Sequence, residues 1–364
     1  MQDSLTLQSS MAAEYLAQSW PLAREQGSDA LTQDYASVKE IVLCGCGDSH
    51  HAAEGLGFAL QIWTGCRTRA VHSMKAARYL IPCIRSQDGE ILVVGISVSG
   101  EVARTIEAIE VASAMGMRTL AISGSAESTL AEIAEKALIL STPSLQHGPG
   151  LLNFLASLLM GYSVAFALSK ASIREEIDQV LRAFPKVLAA WQERQEAHGF
   201  EFAEQHTDAP IVFLGSGPAY GAALFSAAKV IEASGGAAWG QDVEEWAHLE
   251  YFCEPPHMPT WLLGARGRST SREIEVEEAA RRIGRHFTRS VWEGSEGWSD
   301  FVCEAVAPLG LWAGPVAYAS RRAELLGERP FRGFGGGRSR EEGGGASRIR
   351  SSQRITPEDG LDAW

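Results

Sequence analysis

The chain has 364 residues, 45% of them hydrophobic and 21% charged, and a formal net charge of −13. This length predicts two domains of ordinary size, each with its own core, and the composition excludes a wholly disordered or fibrous chain. The negative charge disfavours nucleic acid as a partner, since no Lys/Arg-rich run before residue 320 offsets it; the six scattered cysteines give neither a disulfide framework nor zinc spacing, so no metal is expected.

Met1 to Ser9 carry an acid and hydroxyls where a secretory leader needs a positive start and an apolar stretch, so a cytoplasmic chain is expected. Residues 1–40 read as an N-terminal helical segment. Ile41 then opens IVLCGCGDSHHAAE, an apolar run ending in Gly-x-Gly and followed by small residues of helical character. That is the pattern of a buried strand turning tightly into a helix. Strand signals follow at Arg69–His72 and Ile91–Ile96, a helix from about Val102 to Met115, a strand at Thr119–Ser123, a helix over Glu127–Lys136 and a strand at Ala137–Ser141. Leu151–Leu168 is nearly all apolar but is interrupted by Asn153, Ser157, Gly161 and Ser163, which predicts a buried helix and no membrane span. Ile173–Glu204 reads as an amphipathic helical connector.

Ile211 opens IVFLGSGPAYGAAL, which repeats the unit at Ile41. A helix is predicted near Ala219–Ser234, a strand at Thr260–Gly264, a helix at Ser271–Arg285, a strand pair at Ser290–Trp292 and Phe301–Glu304, and an apolar helix at Leu309–Leu326. Alternating short strands and helices imply two doubly wound parallel-sheet α/β domains. Their expected bounds are 41–172 and 209–328, with the connector at 173–208 and a Gly/Arg-rich tail at 329–364.

Beyond the strand at Ile91 stands Ser97-Val98-Ser99-Gly100-Glu101, and a helix begins directly after it. Hydroxyls, a glycine and unpaired backbone N–H groups at a helix start suit an anion. The turn Gly45-Cys46-Gly47-Asp48-Ser49 offers a second set of donors at a neighbouring strand end. Either loop alone also reads as ordinary helix capping; two in one sheet point to a phosphate. A dinucleotide fits poorly, because the third glycine of the fingerprint would fall on His50 and the acid expected near Thr68–Met74 is absent.

Cys46-Gly47-Asp48-Ser49 and Ser97-Val98-Ser99-Gly100-Glu101 resemble the Cys-Gly-Thr-Ser and Ser-Gln-Ser-Gly-Glu-Thr motifs of sugar isomerase (SIS) domains. The comparison is with the isomerase half of glucosamine-6-phosphate synthase and with stand-alone phosphosugar isomerases, deaminases and deglycases. The resemblance implies a doubly wound, flavodoxin-like fold in tandem, and phosphate contacts from Ser49, Ser97 and Ser99 with Gly47 and Gly100 shaping the loops. Val98 and Val102 replace a Gln and a Thr that supply further contacts in that family. The family also has a Lys and a Glu three apart on a helix, then a His sixteen residues beyond that Glu and preceded at three positions by another Glu. Lys229, Glu232, Glu245 and His248 reproduce those intervals.

By this resemblance Glu232 is the enolisation base, His248 opens the sugar ring, and Lys229 stands near the reacting centre. Aldose–ketose interconversion needs just these types of group: a base above two adjacent carbons, a proton donor, and positive charge near the enediolate. On its own, Lys229 with Glu232 is also what a surface helix pair looks like. A lysine of the family's tail finds its closest counterpart in Arg350. The family's Glu-x-x-Val-Ala-x-Thr-Lys stretch is replaced by Gln146-His147-Gly148-Pro149-Gly150-Leu151-Leu152, so its sugar contacts do not carry over. No glutamine-hydrolysing domain is recognised. The expected function is isomerisation or deamination of a hexose 6-phosphate without a cofactor, in a homodimer that shares its active sites; the alternative is a phosphosugar sensor without catalysis.

Overall fold

The two apolar runs that end in Gly-x-Gly become central strands of two parallel sheets. The computed structural model describes residues 3–84, 89–145 and 148–328. It divides into two compact units, one of residues 15–84, 89–143 and 152–182, the other of residues 3–14, 144–145, 148–151 and 183–328.

In chain order the first half contains α1 (Ser4–Ala30), β1 (Glu40–Gly45), α2 (Asp48–Thr64), β2 (Arg67–His72) and the single turn α3 (Ser73–Lys75). It continues with β3 (Ile91–Ser97), α4 (Ala103–Ala114), β4 (Arg118–Ser123), α5 (Thr129–Ile133), β5 (Lys136–Ile139), α6 (Leu152–Leu168) and α7 (Ala171–Gln205). The sheet order is β2-β1-β3-β4-β5, with every pair parallel. β1 and β3 are buried at every residue, as a strand covered on both faces must be. The order reverses between β1 and β3, so the crevice of an open α/β sheet lies at their carboxyl ends. The two predicted phosphate loops leave the sheet at those ends.

The second half repeats the plan with β6 (Ile211–Leu214), α8 (Pro218–Ser234), β7 (Ala238–Gln241), α9 (Val243–His248), β8 (Pro259–Ala265), α10 (Thr270–Arg282), β9 (His286–Trp292), α11 (Asp300–Val306) and α12 (Ala313–Leu325). Its sheet runs β7-β6-β8-β9, again all parallel. The duplication reaches individual torsions. Gly47 precedes α2 at φ 57°, ψ −133°, and Gly217 precedes α8 at φ 55°, ψ −130°.

The apolar segment at Leu151–Leu168 forms α6 as an interior helix, with Phe154, Leu155, Leu158 and Tyr162 buried. Among the described residues one helical stretch, Asp300–Leu325, is long and apolar enough to cross a membrane, and its apolar window is 94% buried within the fold. Those side chains are therefore core.

One predicted element changes type. Phe301–Glu304, expected as a strand, lies in α11. Ser299 caps this helix by accepting a hydrogen bond from the Val302 N–H (3.3 Å), and Asp300 stands in its first turn where the helix dipole favours an acid. The run Val302, Cys303, Ala305, Val306 is buried, and in so short an apolar stretch periodicity does not distinguish helix from strand. Ser299→Ala is expected to cost about 0.5–2 kcal/mol. The check is urea unfolding, with a lower midpoint and an unchanged slope. The structure also adds β7, a four-residue edge strand that the sequence reading did not anticipate.

Candidate functional site

In the first unit, the loop after β3 is held from one side by β4 and α5. The Val98 carbonyl accepts from Gly124 N–H (2.9 Å), and the Glu101 carboxylate accepts from both the N–H and the hydroxyl of Thr129, each at 2.8 Å. Glu101 is thereby an anchor of the loop. Gly100 sits at φ 66°, and a Cβ there would collide with the Ser128 side chain and come within 2.6 Å of the Ser123 hydroxyl. The Ser97 hydroxyl accepts from Gly100 N–H (3.2 Å) and the Ser99 hydroxyl from Glu101 N–H (3.3 Å). Both hydroxyls act as acceptors inside the loop, so each keeps its O–H proton to offer an anion.

The loop after β1 is open in a complementary way. Gly47 carries α2 into its first turn, no side chain caps that turn, and Ser49 is buried at its start. The orphan N–H groups of an uncapped first turn favour negative charge. Gly47, Ser49, Ser97, Ser99 and Gly100 thus occupy two neighbouring strand ends of one sheet.

Beside this loop stands a cluster of histidines. His50 on α2 is 3% exposed and packs against His72, the last residue of β2, with ring centroids 3.5 Å apart and the planes tilted by 34°. The parallel register sets His72 opposite Gly45, next to the loop. His51 lies 3.5 Å from Asp48 through Nδ1, and His50 Nε2 lies 3.4 Å from Glu54 Oε1. Burial, followed by His72 and His51, pushes His50 down to about 3. Burial pushes Glu54 up to about 7, with Lys75 working against it. Geometry alone would make His50–Glu54 an ion pair. The shifts say that both partners prefer to be neutral, and in a buried site that is the cheaper arrangement. Sequence reasoning passed over this cluster; the adjacent His50-His51 after Gly-x-Gly was the available signal, while His72 joins only through strand pairing.

In the second unit, α8 carries Lys229 and Glu232 on one face. The two are three positions apart, so their side chains meet. Lys229 is 0% exposed, its Nζ lies 4.8 Å from the Phe225 ring centroid, and it donates to Glu232 Oε2 at 2.6 Å. The Glu232 side chain is 42% exposed. The pair is therefore a buried ammonium steadying an accessible carboxylate.

His248 ends α9 and is not part of that pair. Its side chain is 74% exposed, and Nε2 lies 3.1 Å from Glu244 Oε1. Arg272 holds Glu244 at 2.8 Å and, followed by His248, keeps that carboxylate below its usual range. The carboxylate joined to His248 is thus Glu244, while Glu245 is exposed. Gln146, His147 and Arg350 lie outside the described residues. Among the described residues no group of three or more His, Cys, Asp or Glu is arranged to hold a metal ion.

Residues 34–167 match the model of the SIS domain family. Over 104 residues the chain is 33% identical to glutamine–fructose-6-phosphate aminotransferase (isomerizing) of Helicobacter pylori, a match covering 29% of this chain and 17% of that protein. The chain thus matches less than a fifth of that relative's length. Two solved structures share the fold. One is the C-terminal domain of glucosamine-fructose-6-phosphate aminotransferase from Francisella tularensis, with TM-score 0.73, 17% identity, and coverage of 87% of this chain and 96% of that one. The other is tagatose-6-phosphate ketose/aldose isomerase from Escherichia coli, with TM-score 0.67, 17% identity, and coverage of 90% and 94%.

Proposed function

We propose, from the premise that this chain carries a SIS domain, that it interconverts an aldose and a ketose 6-phosphate, or releases ammonia from the corresponding 2-amino sugar phosphate. The observation that carries this reading is the Lys229–Glu232 pair. A buried ammonium fixes one carboxylate oxygen and leaves the carboxylate accessible, as a base that must reach two adjacent carbons requires. The loops at Gly47–Ser49 and Ser97–Gly100 hold the phosphate, with Ser49, Ser97 and Ser99 donating. Glu232 carries the proton between C1 and C2, His248 opens the ring, and Lys229 supplies positive charge toward the enediolate oxygen. If C2 bears an amine, the same deprotonated intermediate can expel ammonia.

His248 meets Glu244 within its own chain, and this fits a histidine that serves a second copy of the protein. Ile231, beside Glu232, and Leu249 and Phe252, just after His248, are exposed apolar side chains that such a copy would cover. All six cysteines are free thiols, in keeping with a cytoplasmic setting.

The same exposure of His248 favours a second reading, a phosphosugar sensor without catalysis. Incubating the full chain with fructose 6-phosphate and with glucosamine 6-phosphate separates these cases. Ketose–aldose conversion without ammonia marks an isomerase, and ammonia release marks a deaminase. Binding without turnover supports the sensor, and absence of binding overturns the phosphate reading. Ser97→Ala removes one charge-assisted donor and is expected to weaken phosphosugar affinity about tenfold, the equivalent of roughly 1.5 kcal/mol. Calorimetric titration with fructose 6-phosphate provides the check.

A further inference from the structure

We infer that His72, with His51 and the Lys75 ammonium beside it, forms a wall of the anion site at the Gly45–Ser49 loop, and that a doubly charged oxyanion bound there draws a proton onto the His72 imidazole. The inference rests on the reading that this loop holds a phosphate, and it adds residues that neither loop motif contains.

Three observations place the wall. His72 ends β2 opposite Gly45, at the sheet edge where the loop begins. His51 lies one turn along α2 beside Asp48, and Lys75 follows His72 in the turn α3. His50, beneath them, is almost fully buried, and its Nδ1 has no hydrogen-bond partner among the described residues.

The charges facing His72 decide what the wall does. The His50 ring packs on His72, and His51 and Lys75 act on it electrostatically; Asp48 and Glu54 join the cluster through His51 and His50, and on β1 burial pushes the Cys44 thiol up to about 12, so it stays neutral. His72 is held below its ordinary value by burial, then by His51 and Lys75. With no anion bound, then, its ring is mostly neutral near pH 7. His50 stays neutral throughout the physiological range. The ring packed against His72 therefore adds no repulsion of its own. A dianion at the loop reverses the balance for the exposed His72 imidazole, because opposite charge favours its protonated form.

The sign follows directly. Above the unliganded pKa of His72, binding takes up protons and affinity rises as pH falls; below it the ring is already charged and the gain stops. Glu54 acts in the same direction, because it loses its negative charge as pH falls through about 7.

The test uses inorganic sulfate, whose charge does not change over the range, and the full chain. Wild-type affinity should rise about tenfold from about pH 8 to about pH 6, with proton uptake seen by calorimetry in buffers of different ionisation enthalpy. The double variant His51→Asn/His72→Asn should keep its thermal midpoint and reduce that rise to about threefold or less, the remainder coming from Glu54. Lys75→Gln should lower affinity and, because Lys75 holds down both His72 and Glu54, move the rise to higher pH. A double variant that keeps the tenfold rise overturns the wall while leaving the phosphate loop standing. A wild type that binds neither sulfate nor fructose 6-phosphate at any pH overturns both.

Discussion

Glu232→Gln should reduce turnover of the productive hexose 6-phosphate by about 10²–10⁴-fold, the usual contribution of a positioned general base, while phosphosugar affinity stays near that of the wild type. Gln is the informative substitution because of what Glu232 does structurally. Its Oε2 accepts a hydrogen bond from a buried ammonium at 2.6 Å, and an amide oxygen can still accept that bond while the amide cannot take a proton from carbon. Glu232→Ala removes the acceptor as well, and is expected to cost about 1–3 kcal/mol of stability in addition to activity. Steady-state kinetics of both variants beside their thermal unfolding separates the two roles. Equal turnover by wild type and Glu232→Gln would remove Glu232 from the mechanism.

Gly100→Ala should destabilise the first unit by about 2–5 kcal/mol, combining the left-handed backbone at φ 66° with overpacking against Ser128 and Ser123. At roughly 2–4 °C per kcal/mol for a unit of this size, the unfolding midpoint should fall on the order of 5–15 °C. The functional consequence is distinct from the thermal one. The Gly100 N–H is what the Ser97 hydroxyl accepts, and the Gly100 carbonyl receives the Leu130 N–H, so a displaced residue 100 releases the loop at both ends. Fructose 6-phosphate should then raise the midpoint of the wild type and fail to raise that of the variant. A variant that unfolds at the wild-type temperature and is equally protected by ligand would mean that the loop conformation is unrelated to anion binding.

Much of the local structure around the candidate site is legible in the sequence, because its parts are local. A glycine after an apolar run, hydroxyls at a helix start and a Lys–Glu spacing of three each describe one turn of chain, and the backbone has few ways to satisfy them. What escaped the reading was non-local or ambiguous in period. Phe301–Glu304 is a short apolar run whose helical state depends on the Ser299 cap and on what buries it. The partner of His248 depends on Arg272, far along the chain, which holds Glu244 in place.

The sequence by itself determined the duplicated strand–glycine turn–helix unit, the parallel doubly wound class and the positions of the two glycine- and serine-bearing turns at the strand ends, since each follows from hydrophobic period and turn chemistry within a few residues. Only the tertiary structure decided that His72 stands beside Gly45, that Lys229 is wholly buried while Glu232 is not, and that His50 and Glu54 meet in a setting where both avoid charge. Strand register and burial bring distant residues together and remove water from them, and no local pattern encodes either.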